Sequence, residues 1–190
     1  MRVIAGEHGK RKLKAVPGKN TRPTTDKIKE SVFNMIGPYF DEETTVLDFY
    51  AGSGALGIEA LSRGAHYAYF CERNRQALTT IRENITTLGL ENRAEVLGGN
   101  NLRALAQLRE QHPTLNFDLV FLDPPYKKQQ LVKTLTMLVN DNWLKQTSRV
   151  ICEMEKTDEL PDEVAGLGKI KDVTYGITRI VIYTGMNKED

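Results

Sequence analysis

The tetrapeptide Asp123-Pro124-Pro125-Tyr126 carries the sharpest chemical signal in the chain. It follows FDLVFL, a run apolar enough for a central parallel strand, so it falls at a strand's carboxyl end, where open α/β sheets hold their ligands. Two successive prolines fix the backbone and remove two N–H donors, leaving carbonyls that point outward as acceptors. Such a segment suits an amine. Hydrogen bonds from an exocyclic base amine to the Asp123 side chain and the Pro124 carbonyl favour a more tetrahedral, more nucleophilic nitrogen, and Tyr126 offers a face on which a flipped base can stack. The bland alternative is a structural turn.

A second signal is GSGALG, in which Gly52, Gly54 and Gly57 form a G-x-G-x-x-G at a strand-to-helix turn. Glycines there let the backbone turn tightly and approach a ligand that a Cβ would exclude. The pattern alone fits NAD, FAD and S-adenosylmethionine alike, or simple helix packing. Two acids sharpen it. Asp48, on the strand before the loop, can face the cationic methionine part of S-adenosylmethionine or buttress the loop. Glu72 ends the next strand, where a carboxylate meets a ribose diol in either cofactor class; its alternative role is a partner for the following helix N-terminus. The stretch VLDFYAGSG, which includes Tyr50, resembles the first motif of class I methyltransferases.

Charge is gathered at one end. The chain has 190 residues, 26 Lys+Arg against 25 Asp+Glu and a formal net charge of +1. Residues 1–29 hold nine of the basic residues (Arg2, Lys10, Arg11, Lys12, Lys14, Lys19, Arg22, Lys27, Lys29) and only Glu7 and Asp26 as acids. That end reads as a polyanion-binding arm, with a solvated, partly disordered segment as the alternative.

Around these residues the pattern supplies the elements that must position them. Ile28, Val32, Met35 and Ile36 recur at helical spacing after Pro23 and the capping threonines Thr24 and Thr25. From Thr45 onward short apolar strands alternate with helices: TVLDFY, ALGIEALSR closed by Gly64, HYAYFCE, a helix capped by Asn74 and closed by Gly89, AEVL, a helix with Leu102, Leu105 and Leu108, FDLVFLD, a helix with Leu131, Leu135 and Leu138, and RVICEME. This predicts an α/β fold, a mostly parallel sheet with helices on both faces. KIKDVTYG and ITRIVIYT, meeting near Gly176 with no helix between them, predict an antiparallel terminal hairpin. The domain expectation is a single unit over residues 1–190, with the arm over 1–29 and the catalytic sheet over 45–185.

Cys71 and Cys152 sit in apolar strand-like runs and read as buried free thiols, and no metal-ligand spacing is present, so no metal is expected. No apolar run reaches the roughly 20 residues of a membrane span and the N-terminus lacks a signal-peptide pattern, so a cytoplasmic protein without membrane contact is expected. Trp143 reads as core. Arg179, on the terminal hairpin, reads as solvent-facing with a site-facing alternative.

The [DN]-PP-[YFW] motif with the glycine loop is similar to that of amino-group methyltransferases. The opening RVIAGEHGKRKLK, the segment RPTTDKIKESVFN and the closing YGITRIVIY resemble, over essentially the whole chain, the RsmD-type bacterial 16S ribosomal RNA guanine-N2 methyltransferases. The resemblance implies a class I (Rossmann-like) sheet of seven strands, S-adenosylmethionine as donor with S-adenosylhomocysteine as product, and one guanosine of 16S rRNA as acceptor within a small-subunit particle. By the resemblance, Asp123, Pro124 and Tyr126 are catalytic, and Asp48, Tyr50, Gly52, Gly54 and Glu72 bind cofactor. Arg22, Thr24 and Thr25 help close the site, while Lys10, Arg11, Lys12 and Lys14 engage phosphates. Where such enzymes place an acid after the third strand, this chain reads Gly99-Asn100-Asn101, and an amide oxygen of Asn100 or Asn101 is the acceptor available for the adenine amine. A monomer is expected from size and composition. The rival readings are a DNA adenine-N6 methyltransferase, which needs a target-recognition region that 190 residues do not leave room for, a non-catalytic ribosome assembly protein, and a nucleotide-dependent oxidoreductase, which leaves the DPPY segment and the basic arm without a purpose.

Overall fold

The computed structural model describes residues 1–18, 26–125 and 129–186. The chain forms two compact units, Met1–Thr114 and Leu115–Asp190.

In the first unit the elements run α1 (Asp26–Ile36), β1 (Thr45–Asp48), α2 (Ala55–Ser62), β2 (Tyr67–Glu72), α3 (Arg75–Leu88), a 3-10 turn (Glu91–Arg93), β3 (Ala94–Gly98) and α4 (Asn101–Gln111). The strands lie in the order β3-β2-β1 and are parallel, with Asp48 opposite Phe70 and Glu72 opposite Gly98. Parallel register therefore carries Asp48, Glu72 and Gly98 to the carboxyl ends of their strands. The helices obey local chemistry. Asn74 caps α3 by accepting from the Ala77 N–H at 3.1 Å; Ala77, Ile81, Ile85 and Leu88 form its buried stripe; Gly89, at φ +68°, ends it. Cys71 is buried and free, as is Cys152 in the second unit.

Residues 1–18 depart from the picture of a solvated arm. Around a turn the Val3 carbonyl accepts the Lys10 N–H at 2.8 Å and the Val3 N–H donates to the Arg11 carbonyl at 2.9 Å, and Arg2 bridges Lys12 in antiparallel fashion. Val3 and Leu13 are buried, and the segment is seated on α2. A Cβ on Gly6 would lie 1.8 Å from the Ser62 carbonyl oxygen, so only glycine permits that approach. The Ile4 and Ala5 N–H groups donate to the two oxygens of Glu59 at 2.8 and 3.1 Å, and the His8 N–H donates to Ser62 Oγ at 2.9 Å. Glu59 is wholly buried. Its carboxylate also meets Arg63 Nε at 2.7 Å and Lys29 Nζ at 3.3 Å. Lys29, counted among the basic residues of the arm, is thus 1% exposed on the inner face of α1 and unavailable to a polyanion. Burial pulls its ammonium below the ordinary lysine range, against the opposing pull of Glu59.

The second unit holds β4 (Phe117–Leu122), α5 (Gln129–Asn140), β5 (Leu144–Glu155), β6 (Glu163–Val164), β7 (Leu167–Tyr175) and β8 (Thr178–Gly185). β4 and β5 are parallel; β8 pairs antiparallel with β5 and with β7, and β6 pairs antiparallel with β7. The terminal hairpin turns at Gly176, φ +60°, as its sequence predicts. Trp143 stacks on Phe117 with ring centroids 5.4 Å apart, and Leu131, Leu135 and Leu138 are fully buried, so both readings as core hold.

Two expectations need correction. The described residues form eight strands rather than seven. The additional one, β6, is two residues joined to β7 through Ala165 and Gly166, both at positive φ, and is too short to show a period of two. Arg179 points neither into open solvent nor into a ligand site: its guanidinium grips both oxygens of Asp172 at 2.7 and 2.9 Å and donates to the Asp158 carbonyl. No helix among the described residues is long and apolar enough to cross a membrane.

Replacing Glu59 by Gln should cost about 3 kcal/mol in urea unfolding, because two buried cations lose their counter-charge. Limited proteolysis should then cut first within residues 1–18; an unchanged midpoint would show that the ion cluster does not hold the segment.

Candidate functional site

The glycine loop connects β1 to α2. Gly54 sits at the helix N-cap with φ +79°, and Gly52 has φ +56°. A Cβ on Gly52 would meet nothing within 4 Å, so the backbone there is bare toward open space. Gly57 serves packing instead: a Cβ would lie 2.4 Å from the Phe70 ring, so this third glycine lets α2 rest on β2.

Four side chains brace the loop, each from a different element. Asp48, at the end of β1, accepts the Gly57 N–H at 3.0 Å. Desolvation pushes its carboxyl up to about 7; the Gly57 bond opposes this and the nearby charge of Glu72 adds to it. Glu72, at the end of β2, accepts the Gly52 N–H at 2.9 Å on one oxygen and the Arg73 and Asn74 N–H groups, each at 2.8 Å, on the other. Its carboxylate therefore ties the loop to the residues that lead into α3, and the oxygen facing Gly52 keeps a lone pair that a hydroxyl can use.

Asn84 is the third brace, and sequence reasoning missed it. It is buried on α3, where its amide N–H groups donate to the carbonyls of Ser53 and Lys14, both at 3.0 Å, while its oxygen accepts the Lys14 N–H at 2.8 Å. One side chain so joins the glycine loop to the N-terminal segment. A signal existed: Asn84 lies on the buried stripe of α3, three residues after Ile81 and four before Leu88, where a polar side chain needs partners.

Asn101 is the fourth. Its amide nitrogen donates to the Phe49 carbonyl at 2.5 Å, whereas its buried oxygen has no hydrogen-bond partner among the described residues. The neighbouring Asn100 is committed elsewhere, its oxygen capping α4 by accepting from the Leu102 and Arg103 N–H groups, each at 3.1 Å. Of the two asparagines, Asn101 is therefore the one left with an acceptor to offer. Tyr50 is half-buried beside the loop, edge-on to Phe49 with centroids 4.8 Å apart.

Lys10, Arg11, Lys12 and Lys14 are exposed. The Arg11 guanidinium donates to the Thr87 carbonyl at 3.2 Å and the Lys14 ammonium pairs with Glu83 at 2.8 Å at the surface of α3, while the Lys14 N–H donates to Asn84 at 2.8 Å and fixes the backbone there. Arg22, Thr24 and Thr25 lie outside the described residues. In the second unit, Asp123 and Pro124 follow β4 and are half-buried, and Pro125 is exposed. Tyr126 lies outside the described residues.

A bare glycine turn, an acidic brace at the end of the second strand and an orphaned buried amide oxygen after the third suit an adenosyl group: open backbone beside the ligand, a hydroxyl acceptor and an amine acceptor. Fold and loop together place the protein in the class of Rossmann-like α/β proteins to which S-adenosylmethionine-dependent methyltransferases belong. A family described as Conserved hypothetical protein 95 matches residues 1–184, and the chain belongs to this family, that of the RsmD-type methyltransferases. Over 183 residues it is 45% identical to the Bacillus subtilis protein YlbH, covering 96% of this chain and 98% of the relative. Ribosomal RNA small subunit methyltransferase D of Haemophilus influenzae is 36% identical over 186 residues, covering 96% and 93%. The solved structure of yhhF from Escherichia coli superposes with a TM-score of 0.83 at 30% identity over 99% of both chains. An RNA methyltransferase from Salinibacter ruber, solved with S-adenosyl-L-homocysteine, shares the fold at a TM-score of 0.64 and 16% identity, over 89% of this chain and 98% of that one.

The raised Asp48 carboxyl has a stability consequence. A group held at about 7 when folded and near 3.8 when unfolded keeps its proton in the folded state, so its favourable contribution is complete at low pH and is lost as pH rises between those values. Asp48→Asn should therefore gain stability relative to the parent as pH climbs from about 4 to 7, read as the difference in urea midpoints; a pH-independent difference would mean that Asp48 is ionised throughout.

Proposed function

We propose that the protein transfers a methyl group from S-adenosylmethionine to the exocyclic N2 amine of one guanine in 16S ribosomal RNA. The observation that supports the donor is the Asn101 oxygen beside the glycine loop, buried and without a partner among the described residues, which is the kind of acceptor an adenine amine needs. The relatives named ribosomal RNA small subunit methyltransferase D support the acceptor class, and the complex of the Salinibacter protein with S-adenosyl-L-homocysteine supports the donor.

Bound S-adenosylmethionine would supply an electrophilic methyl on a sulfonium, with a neutral thioether as leaving group. The chain's residues then have positioning work to do. Glu72 would receive a ribose hydroxyl on its remaining lone pair, and Asp48, whose burial holds its carboxyl up, would be drawn toward its ionised form by the approach of the cationic amino-acid end. The Asp123 side chain and the Pro124 carbonyl accept from the guanine N2 amine, so that its lone pair turns toward the methyl, and Tyr126 stacks on the base. One N–C bond forms as one S–C bond breaks, and the amine's surplus proton passes to water or to the Asp123 carboxylate. Orientation and exclusion of water supply most of the rate enhancement. In this reading the protein acts as a cytoplasmic monomer on a small-subunit particle.

The test is transfer of labelled methyl to unmodified small subunits, naked 16S rRNA and DNA, with nucleoside identification. N2-methylguanosine from the ribosomal samples is the expected product; N6-methyladenine in DNA would overturn the substrate. Asp123→Ala should lower transfer by about 10³-fold and leave the calorimetric affinity for cofactor nearly unchanged. Loss of cofactor affinity in that variant would remove Asp123 from the amine.

A further inference from the structure

We infer that the exposed face of α3, carrying Arg75 and Arg82 and preceded by Arg73, is a second phosphate-binding surface, continuous with the basic N-terminal segment and leading to the glycine loop. The inference rests on the reading of the protein as an RNA-modifying enzyme.

The contacts of the N-terminal segment set its course. Arg11 reaches the carbonyl of Thr87 at the C-terminal end of α3, while Lys14 meets Asn84 and Glu83 one turn earlier. Residues 11–14 thus run along the helix toward its N-terminus, and the two elements present one surface. α3 has a single acid, Glu83, and Lys14 neutralises it. Arg73, Arg75 and Arg82 are exposed, and their guanidinium groups have no ion-pair or hydrogen-bonded partner among the described residues; the same holds for the ammonium groups of Lys10 and Lys12. A helix face that is merely solvated tends to set opposite charges three or four residues apart, and this one does not.

Spacing and chemistry agree. Arg75 and Arg82 are seven residues apart, two turns of helix, so they share a face about 10 Å apart along the axis. Between and beyond them stand Gln76 and Thr86, exposed side chains of types that hydrogen-bond phosphate oxygens without reading sequence. The guanidinium forks suit bidentate phosphate contact. Arg73 and Arg75 lie one and three residues after Glu72, whose carboxylate holds the Gly52 N–H, so the basic row ends at the edge of the glycine loop. The positive end of the α3 dipole lies at that same edge and favours an anion there.

The experiment compares three full-length proteins: the parent, Arg75→Gln/Arg82→Gln, and Lys156→Gln/Lys171→Gln, which removes the same charge from exposed residues of the second unit. Binding to transcribed 16S rRNA is measured across a salt series, and cofactor affinity by calorimetry. The α3 variant should bind the RNA about tenfold more weakly, with a slope of log affinity against log salt shallower by about 1.4, the release of two counterions from single-stranded RNA. Its cofactor affinity should match the parent's, which also reports an intact fold. An unchanged slope in the α3 variant, or an equal loss in the Lys156/Lys171 variant, would overturn the inference. Failure of the parent itself to bind RNA would instead sink the underlying functional reading, and the inference with it.

Discussion

The buried carboxylate of Glu59 is the constraint from which the first unit takes its shape. An ionised group without water must be satisfied by fixed donors, and four converge here: the N–H groups of Ile4 and Ala5, the guanidinium of Arg63 and the ammonium of Lys29. α1, α2 and the N-terminal segment are thereby locked to one point. Arg63 extends the cluster by lying over the Phe33 ring at 4.8 Å and donating to the Pro38 carbonyl. A segment whose composition suggests a solvated tail is made part of the body because its backbone supplies the donors this carboxylate lacks.

That arrangement divides labour within the segment. Its backbone and its apolar residues Val3 and Leu13 are turned inward, while Lys10, Arg11, Lys12 and Lys14 remain outside. Charges on a docked scaffold give up less conformational freedom on meeting a polyanion than charges on a flexible tether. The same logic governs the glycine loop. Asp48, Glu72, Asn84 and Asn101 each hold a different backbone group between Phe49 and Gly57, so a stretch rich in glycine, which would otherwise sample many conformations, is held in one. Asn84 bonds the N-terminal segment and the loop through one amide, so the residues proposed to meet RNA and those proposed to meet the donor share a support.

Much of this was legible residue by residue. Short apolar runs separated by helical periodicity marked the strands and helices in their order; Asn74, Gly89 and Gly176 stood where a cap, a stop and a hairpin turn were required; Cys71, Cys152, Trp143 and the leucines of α5 read as core. These are local signals, set by backbone sterics and by the face an element must bury. The candidate site was legible as a set of positions: two acids and a glycine motif at strand ends, and an Asp-Pro-Pro segment after a buried strand.

Partnership was not legible, because it depends on which residues distant in sequence come within hydrogen-bonding reach. The chain alone determined an α/β alternation, a glycine turn preceded by an acid, and a basic N-terminal end. Only the tertiary structure decided that Lys29 faces Glu59 rather than phosphate, that Asn100 spends its oxygen on a helix end while Asn101 keeps one unclaimed, that Glu72, read as a ribose acceptor or a helix N-terminal partner, also holds the Gly52 N–H, and that Arg179 is held by Asp172. Each is a choice among several possible acceptors or donors. Sequence spacing does not set that choice; the penalty for leaving a buried polar group unpaired does, and that penalty exists only once the fold has excluded water.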